Sequence, residues 1–298
     1  MRVIVTGCTG QLGQALLRLS RLSDLELLGV SHIELDITDK FQIDAVFKKI
    51  KPDLLINTAA FTAVDKAESD SRLAFITNCD GPRYLAEACD QAGIPIIHLS
   101  TDYVFDGELD RSYCESDVPH PLNVYGESKL AGEREVQQAA ERHIILRTSW
   151  LFSEQPPNFV MTMLKLAKLK AEQLKVVNDQ VGGPTSATSV AKLLLLMVTR
   201  YSEQGALNWG IYHFAGQPYC SWYEFAETIF TLAQEKGLIE SRPDTIPIQS
   251  HEYPSLAKRP QNSALDSSKV SRDFGVPTCD WRNELGKIIN SCSSMGNG

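Results

Sequence analysis

The stretch "VIVTGCTGQLGQALL", Val3 to Leu17, limits what this chain can fold into more than any other. A β-branched run ends at Gly7, and a helical pattern opens after Gly10 with Gly13 inside its first turn. Glycines in that position permit a tight turn and let a pyrophosphate approach the backbone. They also let the helix lie close to the strand, while the helix N-terminus favours negative charge. The segment reads as the first βα unit of a dinucleotide-binding sheet, with Gly7, Gly10, Gln11, Leu12 and Gly13 as candidate cofactor contacts.

The pattern that follows agrees with that beginning. "LELLGV", "DLLINTAA", "PIIHLSTDYVF" and "HIILRTSW" read as strands that are apolar throughout. Between them, "QLGQALLRLSRL", "FQIDAVFKKI", "RLAFITNCDGPRYLAEACDQAG" and the segment from Tyr125 read as helices, the third as one long helix stopped by Gly93. Apolar strands separated by helices imply a parallel sheet covered on both faces. The fold class expected is α/β, a doubly wound parallel sheet of the Rossmann type, with a second, smaller substrate-binding domain. "FVMTMLKLAKLKA" reads as a helix, "LKVVND" as a strand, and "TSATSVAKLLLLMVTRY" as a helix opened by Pro184 and Thr185. "GIYHFAG" reads as a further strand of the main sheet, and "SRPDTIPIQSHEYPSLAKRPQNS" as a Pro- and Ser-rich stretch. Residues 1–150 and 176–216 are assigned to the dinucleotide-binding domain, and residues 151–175 and 217–298 to the substrate domain.

Charge and residue usage exclude several classes. A net charge of −8 without a Lys/Arg-rich run argues against a nucleic-acid surface. The longest aliphatic run, "LLLLMV", is far short of the roughly 20 residues needed to span a bilayer. "MRVIVTG" enters a strand pattern without signal-peptide character, so a cytoplasmic location is expected. Seven scattered cysteines lack a C-x-x-C pair, and six histidines lack ligand spacing, so reduced thiols and no metal site are expected.

Reaction chemistry enters with "NVYGESKLAGE", where Tyr125 and Lys129 stand four residues apart near a helix start. That spacing puts them on one helix face. A lysine charge there is expected to favour the phenolate and lower a tyrosine pKa that is normally near ~10, fitting the phenol for proton transfer. The preceding strand ends in Ser100 and Thr101.

The glycine spacing G-x-x-G-x-x-G, the strand hydroxyl and Y-x-x-x-K, in that order, resemble the short-chain dehydrogenase/reductase superfamily. "IIHLSTDYVFDG", "PLNVYGESKLAGE", "LRTSW", "NDQVGGPT" and "KRPQNSALD" narrow the resemblance to the dTDP-4-dehydrorhamnose reductase family, from residue 1 to about residue 287. The resemblance implies reduction of the 4-keto group of dTDP-4-dehydro-L-rhamnose by NADPH or NADH, for surface polysaccharide synthesis. It makes Tyr125 the acid, Thr101 the hydroxyl on the sugar's 4-oxygen, and Lys129 the group that lowers the tyrosine pKa and holds the nicotinamide ribose. Asp102 and Trp150 match positions lining the sugar site. Ala59, Ala60, Phe61 and Thr62 match a cofactor-contacting loop. Asp36 and Ile37 match a pair beside the adenine, with a helix N-cap as the competing reading. Arg259, beside Lys258, could pair with the substrate diphosphate or be a solvated charge. The second strand carries Gly29 where an NAD-selective site would place a carboxylate, so NADPH should be accepted.

Some family members are described as magnesium-linked dimers. Here Ala15 and the absence of a carboxylate cluster on the first helix leave Mg2+ without a visible ligand set, and a homodimer open. A dehydratase is disfavoured because Tyr103 stands where that chemistry needs a glutamate. An epimerase would keep its cofactor bound and need no external reductant. A non-catalytic reading is also available, since the regulatory beta subunit of methionine adenosyltransferase resembles the same family. The intact Thr101, Tyr125 and Lys129 weigh against it.

Overall fold

The alternating strands and helices assemble into one six-stranded, all-parallel sheet. The computed structural model describes residues 1–21, 25–169 and 173–295. Its main strands are β1 (Arg2–Thr6), β2 (Glu26–Val30), β3 (Leu54–Asn57), β4 (Ile96–Thr101), β5 (His143–Thr148) and β6 (Gly210–His213). They lie in the order β2-β1-β3-β4-β5-β6. After β2 the chain crosses over β1 to form β3, so the direction of winding reverses between β1 and β3. A crevice at the carboxyl ends of such strands is where doubly wound sheets bind ligands.

Both faces of the sheet are covered, which is why its strands are mostly apolar. One face packs against α1 (Gln11–Ser20) through Leu12 and Leu16, and against a later helix, Ala187–Gln204, through Val190, Leu194 and Met197. The other packs against α2 (Lys40–Ile50) through Ile43 and Phe47, α3 (Gly81–Ala92) through Leu85, and α4 (Val124–Ala139) through Val136.

A second core joins Phe152, Val160, Phe225, Ile229, Trp281 and Leu285. It is built by helices Phe159–Lys168, Trp222–Glu235 and Trp281–Met295. Gln173–Val177 pairs in parallel with Asp244–Ile248, away from the main sheet. The Pro- and Ser-rich stretch thus contains a strand. Pro247 is tolerated because a two-stranded sheet has only edges, where a missing N–H need not break a ladder.

The single helix expected over residues 72–93 runs without a break from Ser71 to Ala92 and is capped by Gly93 in the left-handed conformation, but it carries a π-turn at Ile76–Asp80 ahead of α3. The helix expected to open at Pro184 and Thr185 begins at Ala187, because Thr185–Ser186 pairs with Leu151–Phe152. The expected helix ends at Leu22 and Ala171 lie outside the described residues. Among the described residues, no helix is long and apolar enough to cross a membrane.

Candidate active site

The carboxyl end of β4 and the first turn of α4 bring the reactive side chains together. Asn123 caps α4: its Oδ1 accepts from Gly126 N at 2.8 Å, and its Nδ2 donates to Lys258 O at 2.8 Å. Gly126 permits the helix to press on the turn after β4, since a Cβ there would stand 2.1 Å from Tyr103 O. Tyr125 is thereby set beside the end of β4, where Thr101 Oγ1 accepts from Tyr103 N at 3.2 Å. The rings of Tyr103 and Tyr125 meet edge-on at 5.8 Å.

The electrostatics differ from the expectation for this pair. Burial pushes the Tyr125 phenol up to about 12, and the nearby Thr101 hydroxyl only partly offsets it. Lys129 is hydrogen-bonded to β4 and not to the phenol. Its ammonium donates to Leu99 O at 2.6 Å, and burial pushes it down to about 8, against the opposing charge of Glu133. At neutral pH the phenol therefore holds its proton firmly, as a general acid must until charge develops on its partner. Asp102 Oδ1 accepts from Thr101 Oγ1 at 3.0 Å, and burial pushes this carboxyl up to about 7.

Trp150 packs against the second core, stacked on Trp222 with centroids 3.5 Å apart. Its φ of 45° is a strained conformation for a bulky side chain, of the kind that concentrates at functional sites. Beyond the N-terminal end of α4 lies a cleft of about 700 Å3, whose lining includes Lys258, Arg259, Gln180, Ser250, Tyr253 and Asp106. Arg259 is oriented by Asp65, with Nη2 to Oδ2 at 3.2 Å, and its buried Nε has no partner among the described residues.

The glycine turn lies at the β1/β3 crossover. Gly7 has φ 68°, and a Cβ there would stand 2.7 Å from Ala59 N, so the turn rests directly on the loop after β3. Gly10 N donates to Gly7 O at 3.0 Å. Gln11 reaches the second core's side, its Oε1 accepting from Ser153 Oγ at 2.8 Å and Asn158 Nδ2 at 3.0 Å. Leu12 and Ile37 are buried in the two faces of the sheet core. Asp36 closes a local turn, accepting from Thr38 N and Oγ1, while the N-cap of α2 is Asp39. Gly29 lies close under the first helix: a Cβ there would stand 2.5 Å from Leu17 Cδ1 and 2.8 Å from Cys8 Cβ.

Three polar residues not singled out in the sequence support these elements. Asn78, in the π-turn, accepts from Phe61 N at 2.8 Å and donates to Phe61 O and Ser128 Oγ, both at 3.0 Å. It thus ties the Ala59–Thr62 loop, in which Thr62 is exposed, to the helix bearing Tyr125 and Lys129. Asn57 and His98 form a buried chain toward Lys129. Their only sequence signal is a polar letter inside "LLIN" and "IIHL". Among the described residues, no group of three or more His, Cys, Asp or Glu could hold a metal ion.

Residues 1–294 match the model of the family described as RmlD substrate binding domain. The chain is 44% identical to the dTDP-4-dehydrorhamnose reductase of Aggregatibacter actinomycetemcomitans over 290 residues, covering 96% of this chain and 98% of that one. The crystal structure of a Clostridium acetobutylicum dTDP-4-dehydrorhamnose reductase superposes with a TM-score of 0.90 at 37% identity, covering 98% and 99% of the two chains. That of the Bacillus anthracis dTDP-4-dehydrorhamnose reductase, in complex with NADP, gives 0.89 at 33% identity, covering 97% and 99%.

Proposed function

The chain belongs to the RmlD substrate binding domain family, and on that premise we propose that it reduces the 4-keto group of dTDP-4-dehydro-L-rhamnose to give dTDP-L-rhamnose. NADPH or NADH is the reductant, and surface polysaccharide is the destination of the product. The turn at Gly7 fits a dinucleotide: it leaves no room for a Cβ and stands at the N-terminus of α1, where a pyrophosphate is favoured. Gly7, Gly10, Gln11 and Gly13 would hold that end, with Ala59, Ala60, Phe61 and Thr62 along the neighbouring loop.

The reduced nicotinamide supplies a hydride. Tyr125 gives its phenolic proton to the 4-oxygen as negative charge builds there, and Thr101 donates a hydrogen bond to the same oxygen. Lys129 holds the nicotinamide ribose. Asp102 and Trp150 line the sugar, and Arg259, already oriented by Asp65, faces the diphosphate. In this division residues 1–150 and 176–216 hold the cofactor, and residues 151–175 and 217–298 supply the sugar-nucleotide face. The cytoplasm, which supplies reduced nicotinamides, is the compartment this reading implies, and a homodimer is the assembly suggested by the family resemblance.

The observation that carries the proposal is the placement of Tyr125 in the first turn of α4, against the turn that follows Thr101 at the end of β4, with Lys129 one turn further along the same helix. The test supplies dTDP-4-dehydro-L-rhamnose with NADPH or NADH and follows both nicotinamide absorbance and dTDP-L-rhamnose formation. Product should form with either reductant. No oxidation of either, with folded protein, would overturn the proposal.

A further inference from the structure

A buried polar chain crosses three strands and ends on Lys129. Asn57 Oδ1 accepts from Thr6 Oγ1 at 2.6 Å and from the backbone N–H of Ala59 at 3.1 Å. A backbone N–H can only donate, so this end of the Asn57 amide must be its oxygen. Its Nδ2 then faces His98 Nδ1 at 3.0 Å as a donor. His98 Nδ1 must accept, and a neutral imidazole that accepts at one nitrogen carries its proton on the other. Nε2 itself lies 3.5 Å from Lys129 Nζ.

That contact discriminates between the two forms of the lysine. An ammonium is a donor only, so it meets the Nε2–H donor to donor. A neutral amine still donates to Leu99 O and offers a lone pair to Nε2–H. His98 itself is wholly buried, and an imidazolium would set an Nδ1–H against the Asn57 amide hydrogens.

We propose that His98, locked by Asn57 as its Nε2–H tautomer, is a positioning residue that sets the protonation state of Lys129. The other ionisable groups around this lysine are Tyr125 and Glu133 on its own helix, with Asp102 beside Tyr125. Glu133 is itself gripped by Arg147 of β5 at 2.9 and 2.6 Å. Charges from helices packed on the other side of α4 are engaged elsewhere: Glu68 with Val124 N, and Arg83 with Glu135. The donor from β4 is thus the partner that favours the neutral amine, and burial acts in the same sense. The place of this lock in the reduction rests on the role given to Lys129 above, but the lock itself does not.

Heteronuclear NMR of the imidazole nitrogens in the full-length wild type should show His98 neutral, with its proton on Nε2, at neutral pH. A proton on Nδ1, or an imidazolium, overturns the proposal without any variant being made. The Lys129 Cε chemical shift, followed against pH, gives the second readout. His98→Phe removes the donor, and its Lys129 midpoint should rise by about one pH unit, a ten-fold change in the protonation equilibrium. Asn57→Asp keeps the histidine but offers its Nδ1 an acceptor, so the ring proton should move to Nδ1 and the midpoint should rise again. An unchanged midpoint in the folded variants overturns the lock. The pH profile of reduction should move in the same direction, and a fixed profile alongside shifted midpoints overturns the positioning role. A wild type that shows the lock but reduces no sugar nucleotide counts against the proposed function alone.

Discussion

Tyr125 is a stronger base when ionised than an ordinary phenolate, since burial pushes its pKa to about 12. It parts with its proton only to something more basic, and an alkoxide forming from a ketone meets that condition. Removing the hydroxyl while keeping the ring isolates this step. Tyr125→Phe should lower turnover at least ~10²-fold, the range for a lost general acid, with cofactor affinity retained. Steady-state kinetics with a separate cofactor titration checks both, and near-normal turnover would return the residue to a packing role. Arg259 invites a different measurement. Its guanidinium is held by Asp65 at the wall of the cleft, so Arg259→Ala should raise the Michaelis constant for the sugar nucleotide and leave that for the cofactor unchanged. Equal effects on both constants would contradict a diphosphate contact.

Helix α4 works as a unit because its first turn is tied to two other parts of the chain. Asn123 caps it and also holds Lys258 O, at the wall of the cleft. Asn123→Ala should cost about 1 kcal/mol of stability, the usual loss for a cap, and should raise the Michaelis constant for the sugar nucleotide because the Lys258 loop loses its anchor. Urea unfolding and kinetics on the same variant separate the two effects, and a stability loss without any change in substrate affinity would make the cap purely structural. Much of this scale was readable in the sequence. The glycine turn, the apolar strands, the Tyr125 helix and the Gly93 stop are local patterns, and local patterns survive without the rest of the fold. The π-turn at Ile76–Asp80 was not readable, since one extra residue in a turn leaves the apolar period nearly intact. Nor was the bond from Lys129 to Leu99 O, or the pairing of Arg259 with Asp65, because both join segments remote in sequence. The expected lowering of the tyrosine pKa failed for the same reason: spacing gave the pair, but burial decided its chemistry.

At the scale of the whole molecule, buried neutral histidines shape the response to acid. His213 Nδ1 faces Tyr113 O at 3.0 Å, and Nε2 faces Arg147 Nη1 at 3.3 Å, so the ring is held neutral. Burial, with Arg147 adding to it, depresses its pKa from 6.5 to about 3. Between those values the unfolded chain binds the extra proton, so this contribution to stability is lost as pH falls from 6.5. His98 acts in the same direction, and Asp102 acts oppositely, because its raised pKa leaves the extra proton on the folded state. His213→Gln should therefore flatten the acid side of the stability profile by nearly one proton, about 1.4 kcal/mol per pH unit. Urea unfolding of both proteins from roughly pH 4 to 7 tests it, and parallel profiles would show that His213 does not titrate on unfolding. The strand order carries a consequence of another kind. β6 returns to β5 only after residues 149–209 have been made, and the helix Ala187–Gln204 that covers α1 belongs to that same late segment. A nascent chain that has left the ribosome as far as β5 thus shows an unpaired strand edge and an uncovered apolar face. Both must wait for distant sequence, so this chain spends part of its synthesis in the state that chaperones recognise.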